Sequence, residues 1–177
     1  MKYLRRGIWF IAGRLLVACL ILGLMITVFY YTMNLSNIQI VLKDGMAGRA
    51  KYVMGITDQR SELEKFFQTA CLDGDTLVTA ASQGQSPYAD YNVRGIDHRL
   101  EVGFFWIWPW ENSVRVDITE KIPRIDGRVK GLKADEVIAA RGEGAVYPPG
   151  WEEASYRVQL VRENGQWKIR AMTQQTN

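Results

Sequence analysis

The sequence predicts an α+β protein in which an N-terminal transmembrane helix is followed by helices packed on a curved antiparallel sheet. Two observations carry this prediction. A run of apolar residues near the N-terminus is long enough for a helix that crosses a bilayer. After it, residues spaced as in amphipathic helices precede residues that alternate as in strands, and an Asn-Gly turn joins the last two strands. Helices followed by hairpins are typical of a layered α+β domain.

The first element is a transmembrane helix, which we place at residues 8–33. No charged residue occurs from Leu15 to Met33, and the apolar run reaches back through Arg14. A run of this length can cross a bilayer as a helix, whereas a secretory signal usually ends sooner.

LVAC at residues 16–19 offers a competing interpretation, because this pattern precedes lipid attachment in bacterial lipoproteins. Arg14 interrupts the apolar core of such a signal, and the apolar run continues well beyond Cys19. A lipoprotein would begin a polar tether at that cysteine, so a spanning helix is the favoured interpretation.

The charges around this helix predict its orientation. Four basic residues precede Asn34, and the first acidic residue is Asp44. By the positive-inside rule, the N-terminus is then cytoplasmic. We expect a single-pass protein of the cell membrane, with a cytoplasmic tail at residues 1–7 and an extracytoplasmic domain at residues 34–177.

Composition limits the partners of the external domain. Without the four basic residues that precede Asn34, 18 basic residues balance 19 acidic ones, so no nucleic-acid partner is expected. Cys19 falls within the spanning helix and Cys71 outside it, so the two cannot form a disulfide within one chain. The single His, the external Cys and the scattered carboxylates have no metal-ligand spacing, so no metal or cofactor is expected.

Two helices are predicted between the membrane and the strands. The first covers residues 41–54 and continues the anchor or follows a short break, with its apolar face at positions 42, 46, 50, 53 and 54. Asp58 or Ser61 can cap the second, whose inward residues are Leu63, Phe66, Phe67 and Ala70. The Gly-, Ser- and Asp-rich stretch that follows is predicted to be a loop with a short strand at Thr76–Thr79.

Alternating residues then predict two antiparallel hairpins. In the first hairpin, the face expected to enter the core comprises Leu100, Val102, Phe104, Trp106 and Trp108. Pro109 and Asn112 provide its turn, and SVRVDITE returns as the second strand. A long loop is expected at residues 123–154, with one or two helical turns in LKADEVIAA. The second hairpin is ASYRVQLVRENGQWKIRAM, with a tight turn at Asn164-Gly165.

The order of these elements resembles a known fold family. A helix, a second helix ending in FFQTACL, a hairpin, a loop and the terminal hairpin RVQLVRENGQWKI are together similar to the cone-shaped, cystatin-like fold of the nuclear-transport-factor-like family. With a spanning helix in front, the chain resembles the membrane-anchored members found in type IV secretion and conjugation machines. The resemblance covers residues 41–172 and is topological. The Asn-Pro motif of the Gram-negative secretion component does not occur here, and similar anchored domains occur in spore-envelope channels.

His98 is the residue that could act as an acid-base catalyst inside such a cone. The resemblance brings in isomerases and dehydratases, which use an Asp or His together with a Tyr. Asp97 and His98 are neighbours on a strand and point to opposite faces, so they cannot form a catalytic pair. His98 shares the face of Leu100 and Val102, which makes it a candidate cavity residue, although a structural histidine is the favoured interpretation. No catalytic residue is therefore predicted.

GFFWIWPW at residues 103–110 carries more aromatic rings than one face of a sheet can bury. The candidate interaction surface is the apolar surplus outside the core together with one tryptophan of the long loop: Phe105, Ile107, Trp108, Trp110 and Trp151. The long loop could cover this surface, or another protein or a second copy of the chain could bind it. It could also enter the membrane interface or stack on glycan rings.

Together these expectations predict a non-enzymatic single-pass membrane protein whose external domain is an assembly or scaffold component of a cell-envelope complex, such as a conjugation or secretion apparatus. Its expected partners are the membrane, other envelope proteins and a second copy of the chain. The alternatives are a sensor that binds a small molecule or lipid in the cone cavity, and an isomerase-like enzyme that uses His98. The basic run in KIPRIDGRVKGLK is expected to be a solvated loop, or else a contact for anionic lipid head groups.

Overall fold

The computed structural model of the chain describes the backbone of residues 2–175 and the side chains of residues 9–131 and 133–175. This part of the chain is an α+β protein, as predicted. Its helices and strands are α1 (Lys2–Val53), α2 (Arg60–Leu63), α3 (Thr69–Asp73), α4 (Thr76–Ser82), β1 (Tyr91–Val102), β2 (Ser113–Val129), α5 (Ala134–Arg141), β3 (Ala154–Glu163) and β4 (Gln166–Gln175). Short 3₁₀ turns at Gly131–Lys133 and Glu143–Val146 flank α5.

The strands form one open antiparallel sheet in the order β1-β2-β3-β4, so every strand pairs with its neighbour in sequence. Its inward face packs on α1 and on the segment that contains α2, α3 and α4. Residues with almost no exposed surface fill this interface: Ile38, Leu42, Met46, Phe67, Val78, Val116, Val158, Leu160 and Ile169. The core therefore lies between the sheet and the C-terminal half of α1.

Helix α1 is continuous over 52 residues and has no break where the apolar run ends. Its stretch from Trp9 to Val53 is long and apolar enough to cross a membrane, with a mean hydropathy of 2.4 in a window that the fold leaves wholly exposed. Beyond Asn34 the helix buries a stripe at intervals of four residues, which includes Ile38, Leu42 and Met46. One helix is thus apolar all round in its first half and amphipathic in its second.

Gly45 lets the next segment approach α1 closely. A Cβ atom at this position would lie 3.1 Å from the Cβ atom of Phe66 and 3.3 Å from the ring of Phe67. Phe67 makes an isolated parallel bridge to Ile169 of β4, in which the Gln68 amide donates to the Ile169 carbonyl at 2.9 Å. This bridge explains why the predicted second helix is divided into α2 and α3 by an extended piece.

Residues 76–82 form helix α4, so the predicted strand at Thr76–Thr79 is wrong. Asp75 is the N-cap of α4, and its carboxylate accepts hydrogen bonds from the amides of Leu77 at 3.0 Å and Val78 at 3.2 Å. Such a cap satisfies amides at the start of a helix that have no partner within it. The cap outweighs the strand preference of the Thr and Val residues that follow.

The long loop expected at residues 123–154 begins later than predicted, because β2 continues to Val129. Beyond Glu120 this strand pairs only with β1, and the ladder shifts register between Asp97 and Arg99, opposite Pro123. A proline is tolerated at such a half-paired, irregular position, where its missing N–H is not required. Gly127 fits the same strand because a Cβ atom there would lie 2.9 Å from the carbonyl oxygen of Asn92.

The terminal hairpin has the predicted tight turn. Asn164 has a φ angle of 51° and Gly165 one of 82°, which are the two positive values that such a turn requires. The turn fixes the register of β3 against β4 from Glu163 and Gln166 outward. It also places the end of this hairpin beside Asn37 and Val41 of α1.

We predict that Gly45→Ala destabilises the fold and that Gly48→Ala does not. The first substitution forces a methyl group against two aromatic residues and should cost about 1–3 kcal/mol in the free energy of unfolding. The second meets only the flexible end of Leu63 at 3.3 Å and gains helix propensity. Urea unfolding of the full chain in detergent, followed by tryptophan fluorescence, measures both. Equal stabilities for the two variants would contradict close packing at Gly45.

Candidate functional site

The aromatic segment of residues 103–110, which we call the aromatic loop, leaves the sheet where β1 ends. The last ladder contact is a hydrogen bond of 2.8 Å from the Gly103 amide to the Asp117 carbonyl. Glycine is needed here because a Cβ atom would lie 2.9 Å from that same oxygen. A turn closes the loop, with the Trp108 amide donating to the Glu111 carboxylate at 2.8 Å. The loop is thus an ordered extension of the first hairpin.

The two faces of the aromatic loop are the reverse of those predicted. Phe105 and Ile107 are buried in the core, with 7% and 0% of their surfaces exposed. Four rings point outward instead, with exposed fractions of 91% for Phe104, 53% for Trp106, 43% for Trp108 and 69% for Trp110. The prediction continued the alternation of β1 beyond Val102. The chain leaves the ladder there, and from this point odd-numbered residues point inward instead of even-numbered ones.

Three of the outward rings, those of Trp106, Trp108 and Trp110, form one contiguous cluster. The ring centroids of Trp106 and Trp108 are 5.4 Å apart in an edge-to-face arrangement. Trp108 and Trp110 stack at 5.2 Å with an interplanar angle of only 9°. Trp151 is not part of this cluster. It is half-buried and stacks on Tyr88, with the ring centroids 6.2 Å apart. Of the five residues predicted for the interaction surface, only Trp108 and Trp110 are exposed in the aromatic loop, together with Phe104 and Trp106.

A ring contact and several hydrogen bonds fix the aromatic loop beside α1 at the end of the apolar run. The ring centroids of Trp106 and Tyr31 are 4.7 Å apart, and the Asn34 side-chain amide donates to the Pro109 carbonyl at 3.4 Å. Arg162 donates from its guanidinium to Asn34 at 2.9 Å and from its backbone amide to the Asn112 carbonyl at 2.8 Å. Asn34 is buried, and its hydrogen bonds join the helix, the loop and β3.

A second cluster of functional groups is buried between the helices and the sheet. Arg49 of α1 donates from Nε to Asp75 at 2.5 Å, and its guanidinium lies 3.6 Å from Glu120 of β2. His98 of β1 lies with Nε2 3.0 Å from the other oxygen of Glu120. Only 4% of the Arg49 side chain and none of the Glu120 side chain is exposed. The cluster connects four separate elements of the domain.

Sequence analysis missed Arg49, Asp75 and Glu120, although two of them left a signal. Arg49 falls on the apolar stripe of α1, between Met46 and Ala50. Glu120 continues the inward alternation of β2 from Val116 and Ile118. A charged residue at an inward position indicates a buried partner of opposite charge. Which residue supplies that partner depends on tertiary contacts that a single sequence does not reveal.

Electrostatics favour the charged form of Arg49 in this cluster. Burial alone would lower the pKa of Arg49, but its hydrogen bond to Asp75 and the charges of Asp75 and Glu120 outweigh burial and raise that pKa. Burial raises the pKa of the nearby Tyr156 phenol, and the positive charge of Arg49 partly opposes this effect. Burial and the charge of Asp75 also raise the pKa of the Cys71 thiol to about 11. Cys71 is therefore a protonated, poorly nucleophilic thiol at neutral pH.

His98, the candidate cavity residue, lies at the edge of a groove rather than inside a cone. The groove runs between α1 and β1 and is lined by Lys43, Lys51, Asp97 and His98. Glu120 is not part of its lining, so the groove reaches only one member of the His98–Glu120 pair. The inward face of the sheet is itself occupied by α1 and Phe67. The hydrogen bond to Glu120 makes His98 a connection between β1 and β2.

Several further grooves lie on the surface of the domain. A cavity of about 760 Å³ lies at the C-terminal end of α1 and is lined by Tyr52, Ser86, Tyr91 and Lys130, among others. A smaller one of about 320 Å³ lies between α3 and β4, with Arg49 and Tyr156 in its lining. Within the described part of the chain, no three His, Cys, Asp or Glu side chains come together as metal ligands.

The fold and these sites define an α+β domain carried on a long apolar helix, with an aromatic surface where the apolar run ends. Its order of helices and antiparallel strands is compatible with the topology expected from the sequence. Comparison of the chain with models of known protein families, with curated proteins and with solved structures found no match.

We predict that Arg49→Met destabilises the domain far more than Arg60→Ala. Methionine would leave Asp75 and Glu120 buried without their cation, which typically costs about 3–5 kcal/mol. Arg60 pairs with Asp73 at the surface, where their side chains are 34% and 60% exposed, and such pairs contribute about 1 kcal/mol or less. Urea unfolding of the full chain in detergent measures both values. A loss for Arg49→Met no larger than that for Arg60→Ala would show that the cluster contributes little.

We also predict that Cys71 reacts slowly with alkylating reagents. A thiol with a pKa of about 11 instead of 9.0 has about one-hundredth of the thiolate at pH 8, so its alkylation should slow in proportion and accelerate up to about pH 11. The rate with iodoacetamide, followed by mass spectrometry in Cys19→Ser, measures this. The matched control is the exposed position Gln83→Cys combined with Cys71→Ser. Similar rates for the two thiols would contradict the raised pKa.

Proposed function

We propose that this chain is a non-enzymatic, single-pass membrane protein whose α+β domain is an assembly component of a cell-envelope complex, such as a conjugation or secretion apparatus. The observation that carries the proposal is the continuity of α1 from the apolar run into the core. The apolar run is the span, and the domain is its direct continuation. The four basic residues before Asn34 favour a cytoplasmic N-terminus and an extracytoplasmic domain.

A continuous helix gives the domain a fixed position relative to the bilayer. Residues 34–53 of α1 form the centre of the core, and Asn34 is already buried. No flexible linker therefore separates the domain from the proposed span, and the domain cannot rotate or tilt independently of it. Such fixed presentation suits a component that must meet several partners in register, because less orientational freedom is lost on binding.

The resemblance to the nuclear-transport-factor-like cone supports the same role. The helices in front of an open antiparallel sheet are compatible with that topology. Membrane-anchored members of the family in secretion and conjugation machines act as assembly components. We extend this role to the present chain as part of the proposal.

A free strand edge offers a surface for assembly. Beyond Ile169, β4 pairs with β3 on one side and has no strand partner on the other among the described residues. The groove of about 320 Å³ lies along this edge and is lined by Ala70, Gly74, Ala171 and Gln174, among others. An extended segment of another chain could add to such an edge through backbone hydrogen bonds.

Photo-crosslinking in cells tests the assembly role. We expect a reactive residue at Thr173, on the free edge, to give a discrete adduct with a second copy or with another envelope protein. The same residue at Glu143, exposed in the turn after α5, is the matched control and should give none. A chain that is inserted in the membrane, yields no protein adduct from Thr173 and is extracted as a monomer would overturn the proposal.

Linker variants test whether rigid presentation matters. Eight Gly and Ser residues inserted between Met33 and Asn34 should abolish the Thr173 adduct, because a flexible chain of this length frees the domain from the helix. The same insertion between Glu143 and Gly144 should leave the adduct unchanged. Tryptophan fluorescence would verify that both variants fold. An undiminished adduct with the first insertion would show that continuity of α1 is not needed for assembly.

A further inference from the structure

The outward rings of the aromatic loop lie at a defined height on the molecule. Trp106 contacts Tyr31, which is in the last turn of the apolar run, and Pro109 is bonded to Asn34 in the next turn. These two helix positions differ by about 4.5 Å along the axis at 1.5 Å per residue. The exposed cluster therefore lies level with the boundary between apolar and amphipathic helix.

We propose that Phe104, Trp106, Trp108 and Trp110 enter the head-group region of the same bilayer that α1 crosses. This inference rests on the proposed transmembrane role of α1. Large aromatic rings with a polar N–H are enriched at membrane–water interfaces, where the ring is shielded from water and the N–H remains hydrated. The loop is then a second membrane contact, lateral to the helix.

Continuity with the apolar helix selects lipid over a protein partner. Tyr31 is one of three consecutive aromatic residues, Phe29 to Tyr31, at the end of the apolar run, and the indole ring of Trp106 packs on it. Through this contact, the exposed indole rings of the loop adjoin the exposed apolar side chains of the helix. A bilayer covers such a surface on both elements at once, whereas a protein partner at the loop would have to displace lipid from the helix.

The loop is built to hold its outer rings in place. Phe105 and Ile107 are buried between the outward residues and act as fixed attachments to the core. The turn is closed by a hydrogen bond from the Trp108 amide to the Glu111 carboxylate, which holds the backbone of the loop in place. Lys168 lines the groove beside Asn37 on the same side of the domain, and Arg162 contacts Asn34. Both cations therefore lie near the helix positions 34–41, close to the level that we propose for the head groups of the bilayer.

The basic run at residues 121–133 extends from Lys121, which pairs with Glu101 and Glu153, to the other end of the domain. Lys130 lines the cavity beside Tyr52, at the C-terminal end of α1. That end is about 30 Å from Met33 along the helix axis at 1.5 Å per residue. The aromatic loop, and not the Lys130 end of this basic run, is therefore placed to meet the bilayer.

Depth-dependent quenching tests the proposal with the full chain in vesicles of phosphatidylethanolamine and phosphatidylglycerol. A fluorophore sensitive to polarity is attached to Trp108→Cys in a chain that also carries Cys19→Ser and Cys71→Ser. We expect spin labels near the lipid head groups to quench it at least about twofold more than a probe at Glu143→Cys, because interfacial tryptophan positions lie at that depth. If Trp108→Cys fails to fold, the most exposed ring position serves instead, as Phe104→Cys.

The outcomes separate this inference from the proposed function. Native Cys19, labelled in Cys71→Ser, reports on the span and should be quenched by spin labels deep in the acyl chains. If Cys19 is not quenched, the span itself fails. If Cys19 is quenched but the loop probe remains in water, the span stands and lipid contact by the loop is wrong. A loop probe shielded from water but quenched by no lipid, and only at high protein density, would identify a second copy as the occupant and overturn the inference.

Discussion

The structure depends on one constraint, which is that a single helix must satisfy two different surroundings. From Leu15 to Met33, α1 is apolar on every side and its side chains are largely exposed, whereas the part after Asn34 must present one stripe to a sheet. Since the helix does not break between them, the position of that stripe fixes where the sheet lies. The short helices, the hairpins and the aromatic loop are all arranged around this stripe.

The buried charges show how the rest of the domain is tied to that helix. Arg49 projects from the stripe and meets the cap of α4 on one side and an inward carboxylate of β2 on the other. Burying such groups costs solvation free energy that their attraction offsets only when the geometry is good. Apolar side chains can slide past one another, but these groups cannot exchange partners. We infer that the cluster fixes the relative position of helix, cap and sheet more than it adds to stability.

Local signals in the sequence were sufficient for part of this architecture. The apolar run, the four-residue spacing at Leu42, Met46 and Ala50, and the Asn164-Gly165 turn each depend on neighbouring residues and predicted the elements correctly. Features decided by distant contacts could not be read in the same way. The division of α2 from α3 depends on a bridge to Ile169, and the extension of β2 past Pro123 depends on pairing with the first half of β1. The same holds for the candidate surface. Its aromatic composition is evident from the sequence, but Phe105 and Ile107 point inward because the chain leaves the ladder at the end of β1.

The burial of Asn34 bears on whether a cut in the chain can separate the domain from the apolar run. Residues 34–53 are both the exit from the apolar run and the central helix of the core. A protease that cut within residues 38–53 would disconnect Ile38 or Leu42 from the rest of the core instead of releasing an intact domain. Proteolysis in this stretch would therefore not yield a folded, diffusible fragment.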